Sequence, residues 1–134
     1  MSTHFDFMAI GGGSGGIAAA NRAARHAAKC VVIEKARLGG TCVNVGCVPK
    51  KVMWNGATLA HAIEHAEDYG FELSGYQFHW PKLKQARDIY IQNLNAHYRT
   101  SLQDNHVSLI QGQARFIDPI PLRLKGNGIP LSIY

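Results

Sequence analysis

Two cysteines, Cys42 and Cys47, stand close together in the run Gly39-Gly40-Thr41-Cys42-Val43-Asn44-Val45-Gly46-Cys47-Val48-Pro49-Lys50-Lys51. A disulfide needs Cα atoms within about 7 Å. A tight loop or a distorted first helical turn brings these two that close, and Gly46 removes a side chain that would crowd the turn. Closing so short a loop stabilises a fold much less than closing a long one, which argues for chemistry rather than stapling. Lys50 and Lys51, with a helix start at Pro49, set positive charge beside Cys47 and favour a thiolate there. The blander readings are two unpaired buried cysteines or half of a metal site. Zinc ligands are usually spaced more tightly and come as two pairs. Only Cys30 remains beyond the pair, and the seven histidines show no matching pair. A redox-active Cys42–Cys47 pair is expected, and no metal.

Such a pair needs an electron source, and the N-terminus supplies a candidate site for one. His4-Phe5-Asp6-Phe7-Met8-Ala9-Ile10 alternates and ends apolar, as a buried parallel strand does. Gly11, Gly13 and Gly16 follow in G-x-G-x-x-G order, then Ile17 to Ala24, rich in helix formers, then Cys30-Val31-Val32-Ile33-Glu34 as a second strand. In this βαβ setting Gly11 permits the turn, Gly13 lets the backbone approach a pyrophosphate, and Gly16 lets helix and strand pack closely. The helix N-terminus offers free N–H groups to the anion. Glu34 lies about 20 residues further on, where an acid can accept hydrogen bonds from an adenosine ribose. Dinucleotide binding is expected; the alternative for Glu34 is a solvated strand-end charge.

The runs AIGGGSGGIAAANRAA (Ala9–Ala24) and GGTCVNVGCVPKKVMW (Gly39–Trp54) make the chain resemble the FAD-binding part of the pyridine nucleotide–disulfide oxidoreductases, from Phe5 to about Phe116. The same runs make it similar to the branch acting on glutathione disulfide, with the thioredoxin and trypanothione reductases, which share the Lys50-Lys51 pair, as competitors. The resemblance implies that Cys42 is the more exposed, interchange cysteine that attacks glutathione disulfide. It implies that Cys47 is the cysteine whose thiolate sits against the flavin, with Lys50 near the reactive edge of that ring. Ser14, Gly15, Glu34, Thr41 and Ala114 match FAD-contacting positions, and Ser14, Asn21 and Tyr98 match glutathione-contacting ones. Some relatives carry Arg at the position of Asn21, and Arg22 stands beside it here. By the same resemblance NADPH feeds FAD, from a site outside this chain, and the whole enzyme is a homodimer. The other class of reading is a non-catalytic FAD-binding remnant or interaction module.

The fold implied is a three-layer α/β, Rossmann-like FAD-binding domain, partial, with Phe7–Ile10 and Val31–Glu34 at the centre of a mostly parallel sheet and helices flanking it. After Pro49, the helical spacing of Val52, Gly56, Leu59, Ala60 and Ile63 predicts a core-facing stripe. Asp68-Tyr69-Gly70 and Ser74-Gly75 mark turns. In a second helix from Pro81 to about Leu102, Leu83, Ile91, Leu94, Tyr98 and Leu102 keep one face apolar, with Tyr98 either buried on that stripe or facing substrate. Further strands are expected at Val107–Ile110 and Ala114–Ile117. At 134 residues, the chain allows one domain with a modest core. The formal charge of +5 is dispersed, without a basic run interleaved with aromatics, so no nucleic-acid partner is expected. No apolar run is long enough to span a bilayer, and the chain enters a strand almost at once, so a cytoplasmic location and no membrane are expected. Residues 1–118 are expected to form the partial FAD domain. Residues 119–134 depart from the family pattern, which predicts truncation.

Overall fold

The structure, a computed structural model, describes residues 3–116, 122–125 and 131–132. Its centre is a three-stranded parallel sheet of β2 (Phe7–Ile10), β3 (Cys30–Glu34) and β4 (Ser108–Gln111), in the order β2-β3-β4. Every residue of β3 is buried, whereas Phe7 and Met8 of β2 are half-buried and Ile10 is exposed. The expectation that both strands are central therefore needs correction. Both read as apolar runs, but β3 alone is hydrogen-bonded on both sides, and among the described residues β2 lies at the sheet's edge.

The single N-terminal strand expected over His4–Ile10 is split into β1 (Thr3–His4) and β2. The break falls at Asp6, whose Oδ2 accepts the Lys29 N–H at 2.8 Å. The N–H groups of Asp6 and Phe7 in turn both donate to the Lys29 carbonyl. Phe5 is thereby turned into the core beneath the sheet.

Helix α1 (Ser14–Ala24) joins β2 to β3 and begins within the glycine run, three residues before the Ile17 start that composition suggests. Gly16 explains the close fit: a Cβ there would fall on the Gly11 carbonyl. α1 buries Ile17 and Ala20 against Ala9, Cys30 and Val32. The same face is shared by α4 (Trp80–Asp104), which starts with Pro81 in its first turn and contributes Leu102 to that core. The α4 stripe is as expected, with Ile91 and Leu102 buried and Leu83, Leu94 and Tyr98 half-buried.

The opposite face of the sheet buries Phe5, Val31 and Ile33, with Ala114 packed against them. Here the covering layer is not helical. Ala114 belongs to β5 (Gln113–Phe116), which pairs antiparallel with β6 (Leu122–Lys125). The three layers among the described residues are thus helices, parallel sheet and an antiparallel pair of strands. Ile117, the expected end of β5, lies outside the described residues. β7 (Leu131–Ser132) pairs parallel with β1.

Helix α3 (Cys47–Glu64) departs from expectation. It holds no buried residue, and Leu59 of the anticipated core stripe is 63% exposed. α3 packs on α4 along one narrow seam, where Gly56 faces Leu83 so closely that a Cβ would come within 2.9 Å of its Cδ2. Val52, Ala60 and Ile63 are half-buried. Among the described residues, no element covers the rest of that stripe. Beyond α3, a 3-10 turn at Ala66–Tyr69 ends at Gly70, whose φ of 83° is left-handed.

Candidate active site

The two cysteines do not lie in one loop before a helix at Pro49. Cys42 is inside a short helix, α2 (Gly40–Val45), and Cys47 is the first residue of α3. Gly46 is the joint, and a Cβ there would come within 2.9 Å of the Thr41 carbonyl. This is the crowding anticipated for the turn. Both thiols are free. Cys42 is half-buried and Cys47 exposed, which reverses the expected order. Cys47 stands at the first position of α3, while Cys42 lies inside α2, and a Cβ added at Gly46 would come within 3.3 Å of the Cys42 Cα. Lys50 and Lys51 fall one helical turn beyond Cys47 and are exposed, so they share its side of α3.

Hydrogen bonding with the Cys47 side chain holds the Cys42 thiol above the usual thiol range; desolvation and the Cys47 charge add to this, and a backbone hydrogen bond at Cys47 opposes it. A raised thiol pKa delays thiolate formation as pH rises. Alkylation of Cys42 is therefore expected to climb only above the ordinary range near pH 8.5, and Cys47→Ala to move that profile to lower pH. Peptide-resolved labelling with iodoacetamide across pH reads this directly, and an unmoved profile in Cys47→Ala would reject the coupling.

Two glycine turns bring the dithiol segment to the βαβ unit. Gly39 forms a bridge with Gly13 and donates its N–H to the Gly12 carbonyl at 2.7 Å. A Cβ on Gly40 would sit 3.0 Å from the Gly13 Cα. The start of α2 is thus pressed against the start of α1, which only glycines allow. At this junction Ser14, Gly15 and Thr41 are exposed. The N-cap of α1, Gly13, provides no side-chain cap, and its first turn carries no acidic residue. Those N–H groups are therefore unanswered by side chains and suited to an anion.

Next to this junction, at the carboxyl ends of β2 and β3, is a cleft of about 260 Å³ lined by Gly11, Glu34, Lys35, Gly112 and Ala114 among others. Ligands of open α/β sheets bind in this place. It gathers three of the expected cofactor residues, Gly11, Glu34 and Ala114; Lys35 and Gly112 carried no signal of their own in the sequence. Glu34 is not the solvated charge of the alternative reading. It is buried, its Oε2 accepts the Gly12 N–H and its Oε1 accepts the Ala36 N–H, both at 2.7 Å. Each oxygen retains acceptor capacity beyond these bonds. Glu34 therefore braces the glycine turn as well as facing the cleft.

The residues present fit an FAD-like dinucleotide: an uncapped helix N-terminus for a pyrophosphate, a cradle that side chains would fill, and an acid at the cleft. The positions matched to glutathione are more divided. Ser14 is exposed, and Tyr98 is half-buried against the helix-side core. Asn21 turns to α4, where its Nδ2 donates to Ser101 Oγ at 3.1 Å and its Oδ1 is buried without a partner. Arg22 beside it is exposed. Among the described residues, no helix is long and apolar enough to cross a membrane.

The fold and the site together are a βαβ glycine turn, with an uncapped helix start suited to an anion, locked onto a two-cysteine segment. The family profile described as pyridine nucleotide-disulphide oxidoreductase matches residues 5–127, and the chain belongs to that family. Over 129 residues it is 46% identical to a glutathione reductase of Schizosaccharomyces pombe, an alignment that covers 95% of this chain and 28% of the relative. The chain thus spans less than a third of the length of that curated relative.

Proposed function

We propose that this chain is the FAD-binding, dithiol-bearing part of an NADPH-dependent glutathione-disulfide reductase that maintains thiol redox homeostasis in the cytoplasm. The observation that carries the reading is the contact of the Gly39-Gly40 turn with Gly13, which sets the Cys42 helix against the uncapped start of α1. The 46% identity to a glutathione reductase supports glutathione disulfide as the substrate.

Gly11, Gly13, Ser14, Gly15 and Gly16 would hold the pyrophosphate end of FAD, with Glu34 and Ala114 at its adenosine side and Thr41 and Lys50 toward the dithiol. Held there, FAD would supply two-electron redox chemistry for reopening the Cys42–Cys47 disulfide, with NADPH as the ultimate donor. The chain's own chemistry is thiol exchange. The Cys42 thiolate attacks one sulfur of glutathione disulfide, the substrate S–S bond breaks, and one glutathione leaves as a thiolate. The Cys47 thiolate then attacks the Cys42 sulfur, the second glutathione leaves, and the Cys42–Cys47 disulfide forms. The dithiol loses two protons and two electrons, and glutathione disulfide gains both. Lys50 places positive charge where thiolate accumulates. Ser14 and Tyr98 would contact the substrate, whereas the amide of Asn21 is engaged with Ser101. The whole enzyme acts as a homodimer in this reading.

Titration of the purified chain with FAD tests the proposal. Saturable quenching of flavin fluorescence is expected, and it should weaken at least tenfold in Glu34→Ala. Absence of saturable binding by the folded chain would overturn the cofactor assignment. The chain alone is expected to consume no NADPH with glutathione disulfide, because G-x-G-x-x-G occurs once in its sequence and is committed to FAD.

A further inference from the structure

The turn that carries Cys42 is held by two asparagines that the chemistry above does not use. Asn44, two residues after Cys42, donates its Nδ2 to the carbonyls of Gly40 at 2.9 Å and Leu38 at 3.0 Å, with a longer approach to Arg37 at 3.4 Å. Asn95, on α4, donates its own Nδ2 to the same Leu38 carbonyl at 2.7 Å and to Asn44 Oδ1 at 3.0 Å. The two amides share one acceptor and bond each other, so they act as a unit. What they grip is a turn that glycine takes without steric cost and other residues rarely adopt: Gly39 and Gly40 have φ of 97° and 62°, the left-handed region. The Leu38 and Gly40 carbonyls bracket that turn, and α2 begins there. α4 is a firm anchor, since Ile91, one turn before Asn95, is buried.

We propose that Asn95 is a positioning residue for the dithiol: acting through Asn44, it fixes the turn before α2 and so sets how readily Cys42 and Cys47 join. The inference rests on the redox reading of the two cysteines. In the exchange, the protein dithiol and glutathione disulfide give the protein disulfide and two glutathiones. Its equilibrium constant depends on the effective concentration of one protein thiol at the other. Holding two reacting groups in place raises that concentration by orders of magnitude, and a loosened tether forfeits part of it. Without the Asn95 amide, the turn keeps the Gly39 bond to Gly12 and the local bonds from Asn44 but loses its tie to α4, and the six-residue helix can shift relative to Cys47. The disulfide then becomes easier to reduce. Gly46 has no side chain with which to fix the joint between the helices, so a restraint from outside the segment adds to it.

The test is equilibration of the intact chain in glutathione buffers of varied ratio, followed by acid quench, alkylation and mass analysis of the Cys42–Cys47 peptides. Asn95→Leu removes both donations while keeping the branched shape of the side chain. The equilibrium constant for forming the disulfide should fall about tenfold, which is about 30 mV toward easier reduction. Asn105→Ala is the control, because it removes a donation to the Ser101 carbonyl on the same helix but no bond to the dithiol turn. It should lower the melting temperature and leave the constant unchanged. If Asn95→Leu melts below the assay temperature, Asn95→Ser gives the same comparison in the cold. An unchanged constant in the folded Asn95 variant, with the wild type forming the disulfide, overturns the positioning role alone. A wild type that forms no such disulfide in any buffer removes the redox reading and this inference with it.

Discussion

Cys47→Ser is expected to trap substrate. Exposed to glutathione disulfide with FAD bound, the variant should stop at a mixed disulfide on Cys42 and gain the mass of one glutathione. The reason is the division of labour: Cys42 can still attack, but nothing within the protein releases the second glutathione. Intramolecular attack by a well-placed group is worth many orders of magnitude in effective molarity. The second step should therefore slow on the order of a thousandfold when it must wait for an external thiol. Cys42→Ser should form mixed disulfide at least tenfold more slowly under the same conditions. The wild type should pass directly to the Cys42–Cys47 disulfide. Peptide mapping after acid quench distinguishes these products. The structure makes the experiment sharp, because Cys47 is the more exposed thiol of the chain. If Cys42→Ser captured glutathione on Cys47 as fast as Cys47→Ser captures it on Cys42, the roles would be inverted. If neither variant captured glutathione, Cys42 and Cys47 would not be a substrate-reducing pair.

The contrast between what the sequence discloses and what it withholds follows from the range of the forces involved. Helix α4 is readable from Pro81 and a repeating apolar stripe, both local signals, and its structure agrees within two residues at each end. The βαβ turn is readable because glycines at fixed spacing have few other uses, and Gly16 indeed meets the Gly11 carbonyl. Which of two apolar strands lies inside is not local. Phe7–Ile10 and Cys30–Glu34 look alike, and only pairing on both sides makes β3 the central one. The α3 stripe misleads for a related reason. Periodicity shows that a face is apolar, not that a neighbour covers it, and α3 meets α4 along a seam centred on Gly56.

The site divides in the same way. Glu34 was expected to serve a ribose, yet it also answers two backbone N–H groups of this chain, and no spacing rule could show that. Asn44 sits within the cysteine run and attracted no reading. Its partner, Asn95, lies on another helix, and a single amide has no periodicity to mark it. α3 begins at Cys47 rather than at Pro49, and Cys47 is the more exposed of the two thiols. The opposite order is implied by the family resemblance alone, and no local pattern in the sequence bears on it.

Gly15 and Gly16 are adjacent, and substituting alanine at each should give opposite results. At Gly16 the new Cβ would fall on the Gly11 carbonyl, a backbone atom of the turn that cannot swing aside as a side chain can. α1 would have to lift from β2, opening the core around Ala9, Ile17 and Ala20. Overpacking typically costs about 1–3 kcal/mol, and a backbone collision belongs at or above the top of that range. Against a total stability on the order of 5–15 kcal/mol, Gly16→Ala should lose most of its folded, soluble yield. At Gly15 nothing stands within 4 Å of an added Cβ. Gly15→Ala should fold as well as the wild type or better, since alanine favours a helix by roughly 1 kcal/mol over glycine. Its effect should appear in FAD titration instead, as weakened binding, because the methyl occupies the exposed start of α1 where a pyrophosphate would approach. Thermal melts and flavin titration of the two variants separate a packing glycine from a ligand glycine. If Gly15→Ala melted normally and bound FAD with undiminished affinity, the anion site would not be at this end of α1. If Gly16→Ala melted like the wild type, the close contact of α1 with the Gly11 turn would be wrong.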